Sequence, residues 1–210
     1  LFIPAKWKDV YLAYTLDEFK GQTVIIFVAT CNNALRITLM LRNLGFQASC
    51  LHGQLTQAKR MGALNKFKAG QRNILVATDV ASRGLDIPNV DLVLNVDIPS
   101  NGKDYVHRVG RTARAGKAGR SIAYVTQYDV EAYQRLETML NQRLAEFPCE
   151  EDTVLVLLER VSEAQRMASR EMREINENDP KNKKKKRREE GGGVNQIEAS
   201  AMHNQRGADK

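Results

Sequence analysis

Short apolar runs alternate with helix-patterned segments along the first 128 residues, and this alternation most constrains the fold. Thr23–Val28, Phe46–Leu51, Ile74–Ala77, Asp91–Val96 and Ser121–Val125 read as strands. Each is apolar on both faces, the pattern expected when helices cover a parallel sheet. Between them, Asn32–Arg42, Thr56–Lys68 and Asp104–Thr112 carry apolar residues near helical spacing. Gly45 and the pair Ala69-Gly70 follow two of these helices as C-terminal caps, and Ile98-Pro99 stops the fourth strand. Strand–helix alternation at this pitch specifies an open α/β domain.

Beyond Gln127 the pattern is helical. One helix is expected over Asp129–Leu144, a break at Phe147-Pro148, and a second helix from Glu150 to about Ile175. Val154, Leu158, Val161, Ala168, Met172 and Ile175 form an apolar stripe in the second helix, interrupted by Gln165. This stripe packs back onto the domain, or serves a partner helix. From Asn176 the composition turns polar, with six consecutive basic residues over Lys183–Arg188, and too few apolar groups remain to offset chain ordering. The expected organisation is therefore a domain over 1–145, a helical extension over 146–175 and a disordered basic tail over 176–210. The basic run reads as a nuclear or nucleolar address, an auxiliary RNA clamp, or a merely solvated tail.

Charge is distributed unevenly. Residues 1–128 hold 17 basic and 8 acidic side chains, residues 129–175 hold 6 and 11, and residues 176–210 hold 9 and 6. The surplus on the first segment suits a polyanionic partner. The longest apolar run, Val24–Ala29, is far short of the roughly 20 residues of a membrane span, so no membrane partner is expected. No apolar leader with a cleavage site opens the chain, which argues against secretion. Three scattered cysteines make neither a disulfide framework nor a zinc site. The chain begins on Leu1 and is read as a segment of a longer protein.

Two stretches carry the chemistry. Tyr105–Gly116 (YVHRVGRTARAG) sets Arg108, Arg111 and Arg114 at three-residue intervals beside His107. On a helix such steps lie near one face, where guanidinium forks suit a phosphate. The alternative is a set of surface arginines on a solvated helix. Ile74–Pro88 (ILVATDVASRGLDIP) is a strand emptying into a polar loop, the place where open α/β sheets bind ligands. There the Thr78 hydroxyl can hold a phosphate, Gly84 permits close approach, and Asp86 can accept from a ribose hydroxyl. The alternative is a turn in which Thr78 and Asp79 cap a helix.

Together with Leu51–Arg60 (LHGQLTQAKR), these stretches resemble the second RecA-like domain of DEAD-box RNA helicases. Thr23–Asn33 (TVIIFVATCNN) is similar to motif IV of that family, His52-Gly53 with Gln57 and Arg60 to its HG…QxxR element, residues 74–86 to motif V and 107–114 to motif VI. The resemblance implies a RecA-like open parallel β-sheet with flanking helices. It implies arginine fingers at Arg111 and Arg114 on the γ-phosphate of ATP, and ribose contacts at Gly84 and Asp86. It implies RNA phosphate contacts at Thr78, Arg60, Thr30 and Asn32, and coupling between the two sides through His107, Arg108 and Arg83. Ala113 stands where the family favours glycine. Alanine tolerates helical geometry, so little effect is expected there. VTQYDVE (Val125–Glu131) and the helix after Pro148 are similar to the nucleolar subgroup serving ribosomal RNA processing, which implies the nucleolus and ribosome-assembly proteins as partners.

Gly110–Ala118 is not a phosphate loop. It has five residues between its glycines and Ala118 where a magnesium-binding Ser or Thr is required. No acidic DEAD-type motif occurs either. The resemblance therefore implies half of a bipartite site, with ATP and Mg completed by an N-terminal RecA-like domain of the same parent chain, and no hydrolysis by this segment alone. An RNA-binding or adaptor module without ATP turnover remains the alternative, and a related enzyme acting on DNA is a third reading.

Overall fold

The computed structural model describes residues 1–113, Gly116 and residues 118–178. The helices are α1 (Lys8–Glu18), α2 (Cys31–Asn43), α3 (Gln57–Lys68), α4 (Asp79–Ser82), α5 (Gly102–Val109), α6 (Val130–Leu140), α7 (Glu151–Leu155) and α8 (Leu158–Asn178). The strands are β1 (Val24–Phe27), β2 (Ala48–Leu51), β3 (Ile74–Ala77), β4 (Leu92–Asn95) and β5 (Arg120–Ala123). All pairings are parallel, in the order β2-β3-β1-β4-β5. The chain divides into two compact units, Leu1–Ala168 and Ser169–Lys210. The described part of the second is helix, residues 169–178.

Strands β1 to β4 are buried almost throughout. Side chains alternate across the sheet. Ile25, Phe27, Leu75, Ala77 and Val93 therefore pack in one cluster with Leu64 and Phe67 of α3 and Ala81 of α4. The opposite face meets α1 and α2, which are tied together by Arg36 and Asp9. Right-handed crossovers require this division. The step from β1 to β2 runs one way across the sheet, and the step from β3 to β4 runs the other. The loops after β1 and β3 thus part to opposite faces, opening a crevice at their carboxyl ends.

Local signals explain the helix limits. Thr30 and Asn101 cap α2 and α5 through their side chains. Gly45 and Gly70 follow α2 and α3 with φ of 93° and 70°, the left-handed cap predicted from sequence. Three expectations shift. β5 is an edge strand with Arg120 exposed, so it is not apolar on both faces. The helix expected to run to Leu144 ends at Leu140, where Asn141 turns left-handed at φ 48°. The helix expected from Glu150 is two helices, broken at Val156, which is 80% exposed. Val154, Val161, Ala164 and Ala168 form the buried stripe, and Leu158 lies outside it.

β5 is joined to the rest by close packing at Gly119. A Cβ there would lie 2.0 Å from Thr112 Oγ1 and 2.5 Å from the Ala113 backbone nitrogen. Thr112 cannot yield easily, because it is buried and donates to the Val90 carbonyl at 2.6 Å. Gly119→Ala is expected to destabilise the fold by about 2 kcal/mol, in the range of overpacked interiors. Thermal unfolding should show a midpoint lower by about 4–8 °C.

Candidate functional site

The predicted site residues gather along the carboxyl ends of the strands and down one flank. Thr30 leaves β1 with its hydroxyl accepting from the Asn33 N–H at 3.1 Å, and Thr30 and Asn32 are exposed on the first turn of α2. Thr78 ends β3 and precedes α4. It is buried, and its side chain makes no capping bond, so the capping alternative does not hold for it. Arg60 of α3 reaches the same place, donating to the Ala81 carbonyl at 3.2 Å and to Gln57 Oε1 at 3.4 Å. His52 follows β2 and is buried. Its Nδ1 and the Arg60 Nε are buried without a protein partner. Burial pushes the His52 imidazole below its ordinary pKa, favouring the neutral ring.

Arg108 corrects the picture of three arginines on one helical face. Its side chain is only 2% exposed and points into the crevice. Nε and Nη2 each donate at 2.7 Å to the two oxygens of Asp79, and Nη1 donates to Asn95 Oδ1 at 3.1 Å and to the Asp97 carbonyl at 2.6 Å. The guanidinium also lies 5.0 Å from the Phe27 ring centre. Helix α5 ends at Val109 rather than Thr112. Beyond it the Val90 N–H donates to the Arg111 carbonyl at 3.0 Å, and Thr112 bonds back to Val90. Arg111 therefore sits past the helix, near the start of β4, while Arg108 sits at its carboxyl end. Arg114 lies outside the described residues.

The segment between β3 and β4 runs down the same flank. Arg83 pairs with Asp104 on α5, which also accepts from Asn101 Nδ2 at 2.8 Å and has His107 Nδ1 at 4.0 Å. Burial works against the Asp104 charge, and Arg83, Asn101 and Arg108 outweigh it, holding its pKa below the usual value. Gly84 is left-handed at φ 70°, with open space where a Cβ would stand. Asp86 is 93% exposed and pairs with Lys68 Nζ at 2.7 Å, which lowers its pKa. Four residues later, Val90 meets Arg111.

Two further polar groups at this edge lie outside the motif residues. Asp97 accepts from the Ala29 N–H at 2.8 Å, Lys8 Nζ at 2.9 Å and Asn33 Nδ2 at 3.3 Å. Burial opposes its charge, and these donors hold its pKa low all the same. Asn95 is fully buried and accepts from Arg108. A polar residue inside an apolar strand, with an aspartate two places on, was the signal available.

Residues 7–116 match the family of helicase conserved C-terminal domains. The chain belongs to that family. It is 61% identical over 174 residues to the probable ATP-dependent RNA helicase DDX47 of Bos taurus, covering 83% of this chain and 38% of that protein. It is 61% identical over 178 residues to the ATP-dependent rRNA helicase RRP3 of Coccidioides immitis, covering 85% and 38%. Among solved structures, the E. coli DEAD-box protein SrmB bound to regulator of ribonuclease activity A matches with a TM-score of 0.64 and 32% identity, over 71% of this chain and 95% of that one. The chain thus spans 38% of the length of these curated relatives. The RecA-like parallel sheet expected from the motifs is the fold of this helicase C-terminal domain.

Ala113 is a second correction. It is not helical: its φ is 54°. An alanine in that region costs about 1–2 kcal/mol that glycine escapes, partly returned through the glycine's looser unfolded state. Ala113→Gly is expected to stabilise the domain by up to about 1 kcal/mol, read as a higher denaturant midpoint at unchanged slope.

Proposed function

We propose that this chain is the C-terminal half of an ATP-dependent DEAD-box RNA helicase acting in ribosomal RNA processing. The names of the relatives support the class, and the relative named as an rRNA helicase supports the process. The observation that carries the reading is the pairing of Val90 with Arg111. It ties the segment that descends from the Gly84–Asp86 loop to the backbone of the arginine that follows α5. A hydroxyl-binding carboxylate and a phosphate-binding guanidinium thereby share one flank. The phosphate-binding groups Thr30, Asn32, Thr78 and Arg60 occupy the carboxyl edge instead.

ATP is the substrate. Asp86 accepts from its ribose once Lys68 gives way, and Gly84 lets the backbone approach. Arg111, with Arg114, places positive charge on the γ-phosphoryl group as charge develops there, a role worth roughly 10³–10⁵ in rate in GTPases. Among the described residues no cluster of His, Cys, Asp or Glu could hold a metal ion. By the resemblance of the motifs, the Mg ligands and phosphate cradle are supplied by an N-terminal RecA-like domain of the parent protein. Closure of the two domains around ATP and RNA assembles the site.

RNA lies along the carboxyl edge, contacted through its backbone, so base preference is weak. The Arg60 Nε, buried and unpaired, is a donor suited to a phosphate oxygen. Arg108, Arg83 and His107 join the two sides through Asp79 and Asp104. The nucleolus and ribosome-assembly partners follow from the proposed process, with the basic run 183–188, outside the described residues, as address or clamp.

Arg111→Ala in the two-domain parent should lower RNA-stimulated ATP hydrolysis at least about a hundredfold, about 2.7 kcal/mol of barrier, while RNA affinity stays within about twofold. Steady-state hydrolysis with titrated RNA checks both. Unchanged hydrolysis would return Arg111 to the protein surface.

A further inference from the structure

Gln165 interrupts the apolar stripe of α8, and the helicase reading leaves it unused. In the structure its Nε2 donates to Asp9 Oδ2 at 2.5 Å. Asp9 is 7% exposed, so its charge must be fully provided with donors. Arg36 supplies two of them in fork geometry, at 2.5 and 2.9 Å, and Gln165 supplies a third, to the same Oδ2 that accepts from Arg36 Nη1. Burial works against the Arg36 charge, and the Asp9 contact more than offsets it, raising its pKa.

The chain of bonds continues. Arg36 Nε donates to Asn33 Oδ1 at 3.0 Å, which fixes the Asn33 amide so that Nδ2 faces Asp97 Oδ2 at 3.3 Å. The backbone N–H of Asn33 donates to Thr30 Oγ1, and Asp97 accepts from the Ala29 N–H. The Asp97 carbonyl accepts from Arg108. The links through Asp9 and Asp97 are charge-assisted and correspondingly strong.

We propose that Gln165 and Asp9 are positioning residues for the RNA-facing first turn of α2, acting through Arg36 and Asn33 on Thr30, Asn32 and Asp97. The inference rests on the RNA reading of that turn. Gln165 fixes the tilt of the Asp9 carboxylate, which aims Arg36, which sets Asn33. The helical extension is thereby wired to the carboxyl edge rather than simply covering an apolar face. Leucine at position 165 would restore the stripe and cut the wire.

The test compares Gln165→Leu with Arg160→Leu. Arg160 also ties α8 to the domain, through the Leu44 carbonyl at 3.2 Å, but at a place outside this chain of bonds. In the two-domain parent, with oligo(U) RNA and ATP, Gln165→Leu is expected to raise the RNA KM about three- to tenfold. kcat at saturating RNA should stay within about twofold, and Arg160→Leu should leave the RNA KM unchanged. An unchanged KM for Gln165→Leu, or an equal rise for Arg160→Leu, would overturn the proposal. Amide hydrogen exchange on the chain itself separates this from failure of the helicase reading. Gln165→Leu should speed exchange at the Ala29 and Asn33 N–H groups, and Arg160→Leu should not. Equal protection in both variants would refute the wiring even if no hydrolysis were found in the parent.

Discussion

A guanidinium buried at the carboxyl end of a parallel sheet is the constraint on which the rest depends. Arg108 cannot be withdrawn from water without acceptors, because an isolated buried charge costs several kcal/mol. Here the acceptors come from the start of α4, the end of β4 and the loop after β4. One side chain therefore registers α5 against the start of α4 and the end of β4 with the loop that follows it. Breaking the bond to Asp79 would leave one charge with fewer acceptors and free α4, the element that carries Thr78 and Arg83 at its ends.

This tie explains why the two proposed ligand surfaces are separate yet connected. The carboxyl edge is built from loops that part after β1 and β3, as the strand order demands. The flank is built by the Gly84–Val90 descent, held against the residues following α5 by Val90. Arg108, in the last turn of α5, reaches the carboxyl edge with its side chain, and Arg111 follows that turn on the flank. A shift of α5 would move both surfaces together, which is the geometric requirement for coupling phosphate chemistry to RNA contact.

The strands, the caps of α2 and α3 and the motif loops were legible in the sequence because each rests on local rules. Thr30 precedes a helical pattern, Gly45 ends one, and Ile74–Ala77 is wholly apolar. The arginine series was misread because spacing alone extended α5 to Thr112. The bonds from residues 111 and 112 to Val90, 21 and 22 residues away, hold the chain beyond the helix end, and Gly110 at the C-cap is the local signal for that end. Ala113 differs from the helical expectation because it lies beyond that end, with a left-handed backbone. Asp97 and Gln165 draw their roles from partners 64 to 156 residues distant. A polar residue in an apolar pattern marks such a position without naming its partner.

The central claim is that this domain supplies one half of an ATP site and cannot act without the other. The most direct measurement is ATP hydrolysis by three samples at equal concentration, each with and without single-stranded RNA: this chain alone, the two-domain parent, and the parent's N-terminal domain alone. The account predicts RNA-stimulated hydrolysis by the two-domain protein and background rates for either half. Hydrolysis by this chain alone at a rate comparable to the parent would contradict it.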